Sequence, residues 1–139
     1  MREAAPTVEY EGTTGALTWA LYTDGTLYVN GTGAMPDYHY NKNDVNAAPW
    51  AKLRDKIIKV VIGDGVTSIG QFAFYQCTKL EEIVFEGDDL IKIANGAIGY
   101  TNSLKSVTLP ASLQILDSNA FYFSGLETVA FAEGSRLKT

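Results

Sequence analysis

Hydrophobic positions recur in one register along the second part of the chain. Four segments open alike: Ile57-Ile58-Lys59-Val60-Val61-Ile62, Leu80-Glu81-Glu82-Ile83-Val84-Phe85, Leu104-Lys105-Ser106-Val107-Thr108-Leu109 and Leu126-Glu127-Thr128-Val129-Ala130-Phe131. They start 23, 24 and 22 residues apart, counting from Ile57 to Leu80, Leu104 and Leu126. Positions 1, 4 and 6 of each are apolar. Positions 4 and 6 fall on one side of a strand, so positions 3 and 5 fall on the other. A turn follows each strand: Asp64-Gly65, Gly87-Asp88, Pro110-Ala111 and Glu133-Gly134.

The rest of each unit repeats as well. Val66 and Ile69 correspond to Leu113 and Leu116, and to Leu90 and Ile93 displaced by one residue. Small-then-large pairs follow at Ala73-Phe74, Ala97-Ile98 and Ala120-Phe121, and then a small-residue slot at Cys77, Thr101 and Ser124. A period of this length with L-x-x-L-x-L spacing predicts a leucine-rich-repeat solenoid. One unit cannot bury its apolar side alone, so the units stack, with parallel strands on one face and short turns or 3-10 segments on the other. The repeats divide into 57–79, 80–103, 104–125 and a partial unit 126–139. Phe74 and Phe121 are expected to be equivalent buried residues.

Residues 1–56 follow another pattern. Leu17-Thr18-Trp19-Ala20-Leu21 and Leu27-Tyr28-Val29 flank Thr23-Asp24-Gly25-Thr26, which predicts a β-hairpin. The stretch from Gly31 to Pro36 reads as loop, and the polar residues after it as turns. Pro49 starts a short helix that places Trp50, Leu53 and Ile57 on one face. Hairpin, loop and helix together form an N-terminal cap over the open end of the first repeat.

The segment Val66-Thr67-Ser68-Ile69-Gly70-Gln71-Phe72-Ala73-Phe74-Tyr75-Gln76-Cys77 resembles the BspA-like, or Treponema pallidum type, leucine-rich repeats. Gly31-Thr32-Gly33-Ala34-Met35-Pro36-Asp37-Tyr38 and Ala48-Pro49-Trp50 resemble the leader found before such repeats. The Asn or Cys usual at the ladder position is replaced by Gly65, Asp88, Ser112 and Gly134. The resemblance implies a bacterial cell-surface or secreted protein, extracellular in location, concerned with adhesion and protein binding.

Composition narrows the chemistry. The chain of 139 residues carries 11 Lys and Arg against 16 Asp and Glu, a net charge of −5, which disfavours nucleic acid as a partner. No apolar run is long enough to span a membrane. Met1-Arg2-Glu3-Ala4-Ala5-Pro6 lacks the apolar core of a signal peptide, as expected of a cytosolic protein or a mature domain without its leader. One cysteine, Cys77, and one histidine, His39, provide neither a disulfide nor a typical zinc set. No cofactor or metal is expected.

Gly31-x-Gly33 lacks the third glycine of a phosphate loop, and Pro36 stands where the helix would begin. His39 has Asp37 and Asp44 to orient it but no nucleophile motif, so the chain is not expected to be an enzyme. Cys77 reads as a packing residue. Lys52, Arg54, Lys56 and Lys59 read as one solvated charged face, and Glu81, Glu82, Glu86, Asp88 and Asp89 as another. Stacked one repeat apart, the two groups are placed to neutralise each other.

The outward strand positions define the expected partner-binding face: Lys59, Val61, Glu82, Val84, Ser106, Thr108, Thr128 and Ala130. Its ligand is expected to be a protein of a host or a neighbouring cell. The alternatives are a glycan-binding loop at Tyr38, His39 and Tyr40, and a structural spacer. The last unit is expected to leave Leu126, Val129 and Phe131 partly uncovered. That predicts either further repeats or end-to-end self-association of two chains.

Overall fold

The computed structural model describes residues 5–137. The ends read above, Met1–Ala4 and Lys138–Thr139, lie outside them. Strand β1 (Val8–Thr14) pairs antiparallel with β2 (Leu17–Tyr22), and β2 pairs antiparallel with β3 (Thr26–Gly31) in the expected hairpin. Its register sets Leu17 opposite Gly31 and Leu21 opposite Leu27. Leu17, Leu21, Leu27 and Val29 are fully buried on the inner side. β1 is not signalled by the hydrophobic pattern. It is an edge strand, and all of its residues but Gly12 and Thr14 are exposed.

The first residues of each repeat form the expected parallel strands: β5 (Lys59–Ile62), β7 (Glu82–Phe85), β9 (Ser106–Leu109) and β11 (Thr128–Phe131). The cap hairpin continues this face, because β3 pairs in parallel with β5. The sheet order is β1-β2-β3-β5-β7, followed by a separate pair, β9 and β11. A second parallel sheet runs along the solenoid from β4 (Gly33–Ala34) through β6 (Val66–Ile69) and β8 (Lys92–Ile93) to β10 (Ile115–Leu116). Ile69 stands opposite Ile93, and Ile93 opposite Leu116, which is the register read from the repeat. Gly33-Ala34, expected as loop, is the first strand of this sheet.

A third side is built of tight turns. The Phe74 amide donates to the Ala97 carbonyl at 2.7 Å, and the Ile98 amide to the Ala120 carbonyl at 2.8 Å. Each small-large pair thus bonds to its equivalent one unit on. Cys77 and Thr101 are fully buried in the following slot, and the Thr101 hydroxyl donates to the Ile98 carbonyl at 3.0 Å. Ser112, at a position where the ladder residue is missing, is buried and donates to the Leu90 carbonyl of the preceding unit at 2.6 Å.

The predicted helix is a 3-10 helix, Ala51–Lys56. Trp50 and Ile57 are fully buried and Leu53 packs against the core. The Trp50 ring stacks on Phe74 at 5.6 Å and meets Trp19 and Tyr38 edge-on at 5.8 Å each. Cap and repeats therefore share one core. Close packing also explains Gly70, where a Cβ would run into the Pro36 carbonyl of the cap.

Phe74 is fully buried, but Phe121 is only partly so. The expected equivalence fails because a solenoid residue is covered by its next neighbour. The Ala-Phe pair has no counterpart in residues 126–139 to lie over Phe121. Val129 and Phe131 of β11 are 44% and 52% exposed, and Leu126 before it is only partly buried against the core, so all three are partly uncovered as expected.

Candidate functional site

The outward rows of the strand face come together as the repeat register requires. Lys59 stands beside Glu82, Val61 beside Val84, Ser106 beside Thr128 and Thr108 beside Ala130. The Lys59 ammonium lies 3.7 Å from the Glu82 carboxylate, which realises one of the expected neutralising contacts. The two side chains are 41% and 59% exposed, so the pair contributes little to stability. Glu82, Ser106, Thr108, Thr128 and Ala130 are exposed; Lys59 and Val84 are half-buried. Val61 departs from expectation. It is only 5% exposed, because Tyr28 of β3 and Val84 of β7 flank it in the same row.

Tyr28 is the residue that repeat reasoning missed. It projects outward between the buried Leu27 and Val29, and Tyr22 packs edge-on against it at 5.2 Å. Its outward direction is readable from the Leu27-Tyr28-Val29 alternation. Its membership of the repeat face comes only from the parallel pairing of β3 with β5. Among the described residues no sheet pairing joins β7 to β9. A cleft of about 410 Å³ opens there, lined by Glu82, Val84, Asp88, Ser106, Thr108 and Pro110.

The loop considered as an alternative site is only partly available. Tyr38 is buried against the core, and its hydroxyl lies 2.6 Å from Thr14 Oγ1. Burial pushes its pKa up to about 12. It cannot stack on a ligand. Tyr40 is 53% exposed and stacks on the His39 ring at 4.4 Å. His39 Nδ1 accepts from the Asn41 amide at 3.0 Å, and its Nε2 lies 3.9 Å from Asp44. These contacts shape the loop. Asp44 is too far from Nε2 for a hydrogen bond, so the Asn41 amide and the Tyr40 ring fix the imidazole.

Tyr40 begins a row of rings along the turn side. It meets Phe72 at 5.8 Å and Tyr75 at 6.4 Å; Tyr75 meets Tyr100 at 5.3 Å, and Tyr100 meets Phe123 at 5.2 Å. Phe72, Tyr100 and Phe123 adopt φ of 56°, 54° and 52°, a left-handed conformation that costs a bulky residue about 1–2 kcal/mol. Arg54 also departs from the solvated basic face expected of it. It is 8% exposed, while Lys52 and Lys56 of the same helix are exposed. The long stems of such residues pack readily on apolar surface.

Cys77 is fully buried, and burial, opposed in part by Arg54, pushes its thiol up to about 12. A thiol held protonated and covered is unreactive. No modification by a thiol reagent at pH 8 is expected until denaturant unfolds the chain; rapid labelling of the native protein would contradict this burial. The folded-state value lies above the ordinary 9.0, so the unfolded chain loses its proton first. Stability from this group is complete below pH 9.0 and falls by about 1.4 kcal/mol per pH unit as pH rises toward 12. Denaturant midpoints measured across that range check the sign, and a Cys77→Ala variant should show a shallower decline.

Among the described residues, no group of three or more His, Cys, Asp or Glu side chains is arranged to hold a metal ion, and no helix is long and apolar enough to cross a membrane.

Solved bacterial leucine-rich repeat structures share this architecture. A protein from Eubacterium ventriosum aligns with a TM-score of 0.60 at 20% identity, over 94% of this chain and 45% of its own. A protein from Bacteroides capillosus aligns with a TM-score of 0.57 at 22% identity, over 88% of this chain and 99% of its own. The pneumococcal vaccine antigen PcpA aligns with a TM-score of 0.55 at 17% identity, over 94% of this chain and 40% of its own. The chain thus spans less than half the length of the first and third. At these identities the likeness is one of fold. No curated protein matches the chain in sequence. The family described as "BspA type Leucine rich repeat region (6 copies)" matches residues 52–138, more than half of the chain. The chain belongs to the BspA-type leucine-rich repeat family.

Proposed function

We propose that the chain is a non-catalytic protein-binding module of a bacterial surface or secreted protein, with its ligand on the parallel-strand face. The observation that carries this reading is the outward row Tyr28-Val61-Val84, which runs unbroken from cap to repeats beside the open cleft between β7 and β9. Binding energy concentrates where an aromatic anchor sits among packed apolar neighbours, and Tyr28 supplies that anchor. The charged and hydroxyl groups around it, Lys59, Glu82, Ser106, Thr108 and Thr128, form a polar rim suited to a protein surface. Family membership supports an interaction module in general, and it supports an extracellular location. It names no ligand.

The test is surface plasmon resonance against a panel of purified extracellular-matrix and serum proteins. A partner that binds the native chain should bind Tyr28→Ala and the Glu82→Lys/Thr108→Arg double variant at least tenfold more weakly. Circular dichroism and melting should show both variants folded. Binding that survives both changes would place the ligand elsewhere.

A further inference from the structure

A buried cation without an anionic partner among the described residues marks a second surface, on the turn side and away from the strand face. Arg54 is 8% exposed. Its Nη1 donates to Gln76 Oε1 at 3.2 Å and its Nη2 to the Tyr40 carbonyl at 2.9 Å. Its guanidinium carbon stands 5.9 Å from the centre of the Tyr75 ring. Both acceptors are neutral. Among the described residues no carboxylate lies within ion-pair distance of Arg54. A guanidinium has five N–H donors, so three are left to other partners. A buried charge lacking a counter-ion is costly, and an anion seated beside it recovers that cost.

Arg54 borders a groove of about 540 Å³ between the cap loop, the 3-10 helix and the turns of the first two repeats. Lys42 and Lys52 stand on its walls against one carboxylate, Asp55. This is a local cationic excess on a chain of net charge −5. The other walls are amides and rings: Asn41, Asn43, Gln76 and Asn102, with Tyr40 and Tyr100. Rings of successive repeats continue past the groove, Tyr75 to Tyr100 at 5.3 Å and Tyr100 to Phe123 at 5.2 Å.

We propose that this groove binds an acidic glycan, with a uronate carboxylate on Arg54 and neighbouring sugars against Tyr40 and Tyr100. Side-chain amides present a donor and an acceptor together, which suits the paired hydroxyls of a sugar. Aromatic rings suit its apolar C–H faces. A row of rings spaced by the solenoid rise matches a polymer of like units. An acidic peptide would satisfy Arg54 equally well. Arginine-centred sites do bind acidic peptide motifs; the amide and ring walls of this groove favour the sugar. The site shares no residue with the strand face, so it stands or falls independently of the protein-binding reading.

Calorimetry on the intact chain at low salt decides the matter, with hexagalacturonate, a neutral cello-oligosaccharide of equal length and hexaglutamate as probes. Hexagalacturonate should bind, at least tenfold more tightly than either other probe, and weaken as salt rises. Tyr40→Ala and Lys52→Glu, both at exposed side chains, should each weaken it about tenfold, with circular dichroism showing both variants folded. Arg54→Gln should abolish it. Should Arg54→Gln fail to fold, the two exposed variants carry the test alone. Glu82→Lys/Thr108→Arg should leave it unaltered. The proposal is overturned by no binding of hexagalacturonate to the native chain, by equal binding of the neutral sugar, by hexaglutamate binding as tightly, or by indifference to Tyr40→Ala and Lys52→Glu.

Discussion

Replacing Trp50 with alanine should destabilise the chain by about 3–5 kcal/mol, the range for truncating a buried large aromatic side chain. Trp50 is fully buried at the seam between cap and repeats. Its ring lies against Trp19 and Tyr38 on the cap side and against Phe74 on the repeat side. Its indole N–H donates to the Ala73 carbonyl at 2.7 Å. Truncation therefore opens a cavity and also removes the donor from a buried carbonyl. Domains of this size have total stabilities of about 5–15 kcal/mol, so the loss is a large share of the whole. Guanidinium denaturation followed by the fluorescence of Trp19, the one other tryptophan, measures it. A Trp50→Phe variant should retain most of the packing and lose chiefly the hydrogen bond. A change below 1 kcal/mol for Trp50→Ala would show that the cap does not share the repeat core.

Phe74→Ala should cost about 3–5 kcal/mol, while the matching change at Phe121 should cost about 1 kcal/mol. The two residues hold the same place in the repeat and differ in what lies over them. Phe74 has the Trp50 ring against it, stacked at 5.6 Å with 16° between planes, and its amide bonds to the next unit. Phe121 is the last of its row and remains partly open. Differential denaturation of the two variants reads the contrast directly. Equal losses would mean that Phe121 is covered as Phe74 is.

Much of the fold was legible in the periodicity. The inward positions Val60, Ile62, Ile83, Val107 and Leu109 are buried as the alternation requires. The displaced pair Leu90 and Ile93 is buried with Val66, Ile69 and Leu113, and Leu116 is partly buried. The hairpin from Leu17 to Val29 and the Trp50 helix face follow the same local logic. β1 left little trace because an exposed edge strand has no buried side to declare itself. The site was less legible. Tyr38 and Arg54 stand in segments rich in polar or charged residues, yet both are buried by residues far along the chain. Tyr38 reaches back to Thr14, 24 residues before it, and Arg54 reaches forward to Gln76, 22 residues after it.

By itself, the order of residues determined the repeat length, the strand register, the inward and outward positions and the family. All of these are local and periodic, because the side chain of each residue in a strand alternates with its neighbour's. Only the tertiary structure decided which positions were covered. It laid the cap strand β3 beside β5, which placed Tyr28 on the repeat face and closed Val61 between two neighbours. It buried Arg54 against neutral acceptors and lined up rings from separate repeats. Coverage depends on what the next layer of a solenoid brings, about one period away in sequence. No pattern within a single unit carries that information.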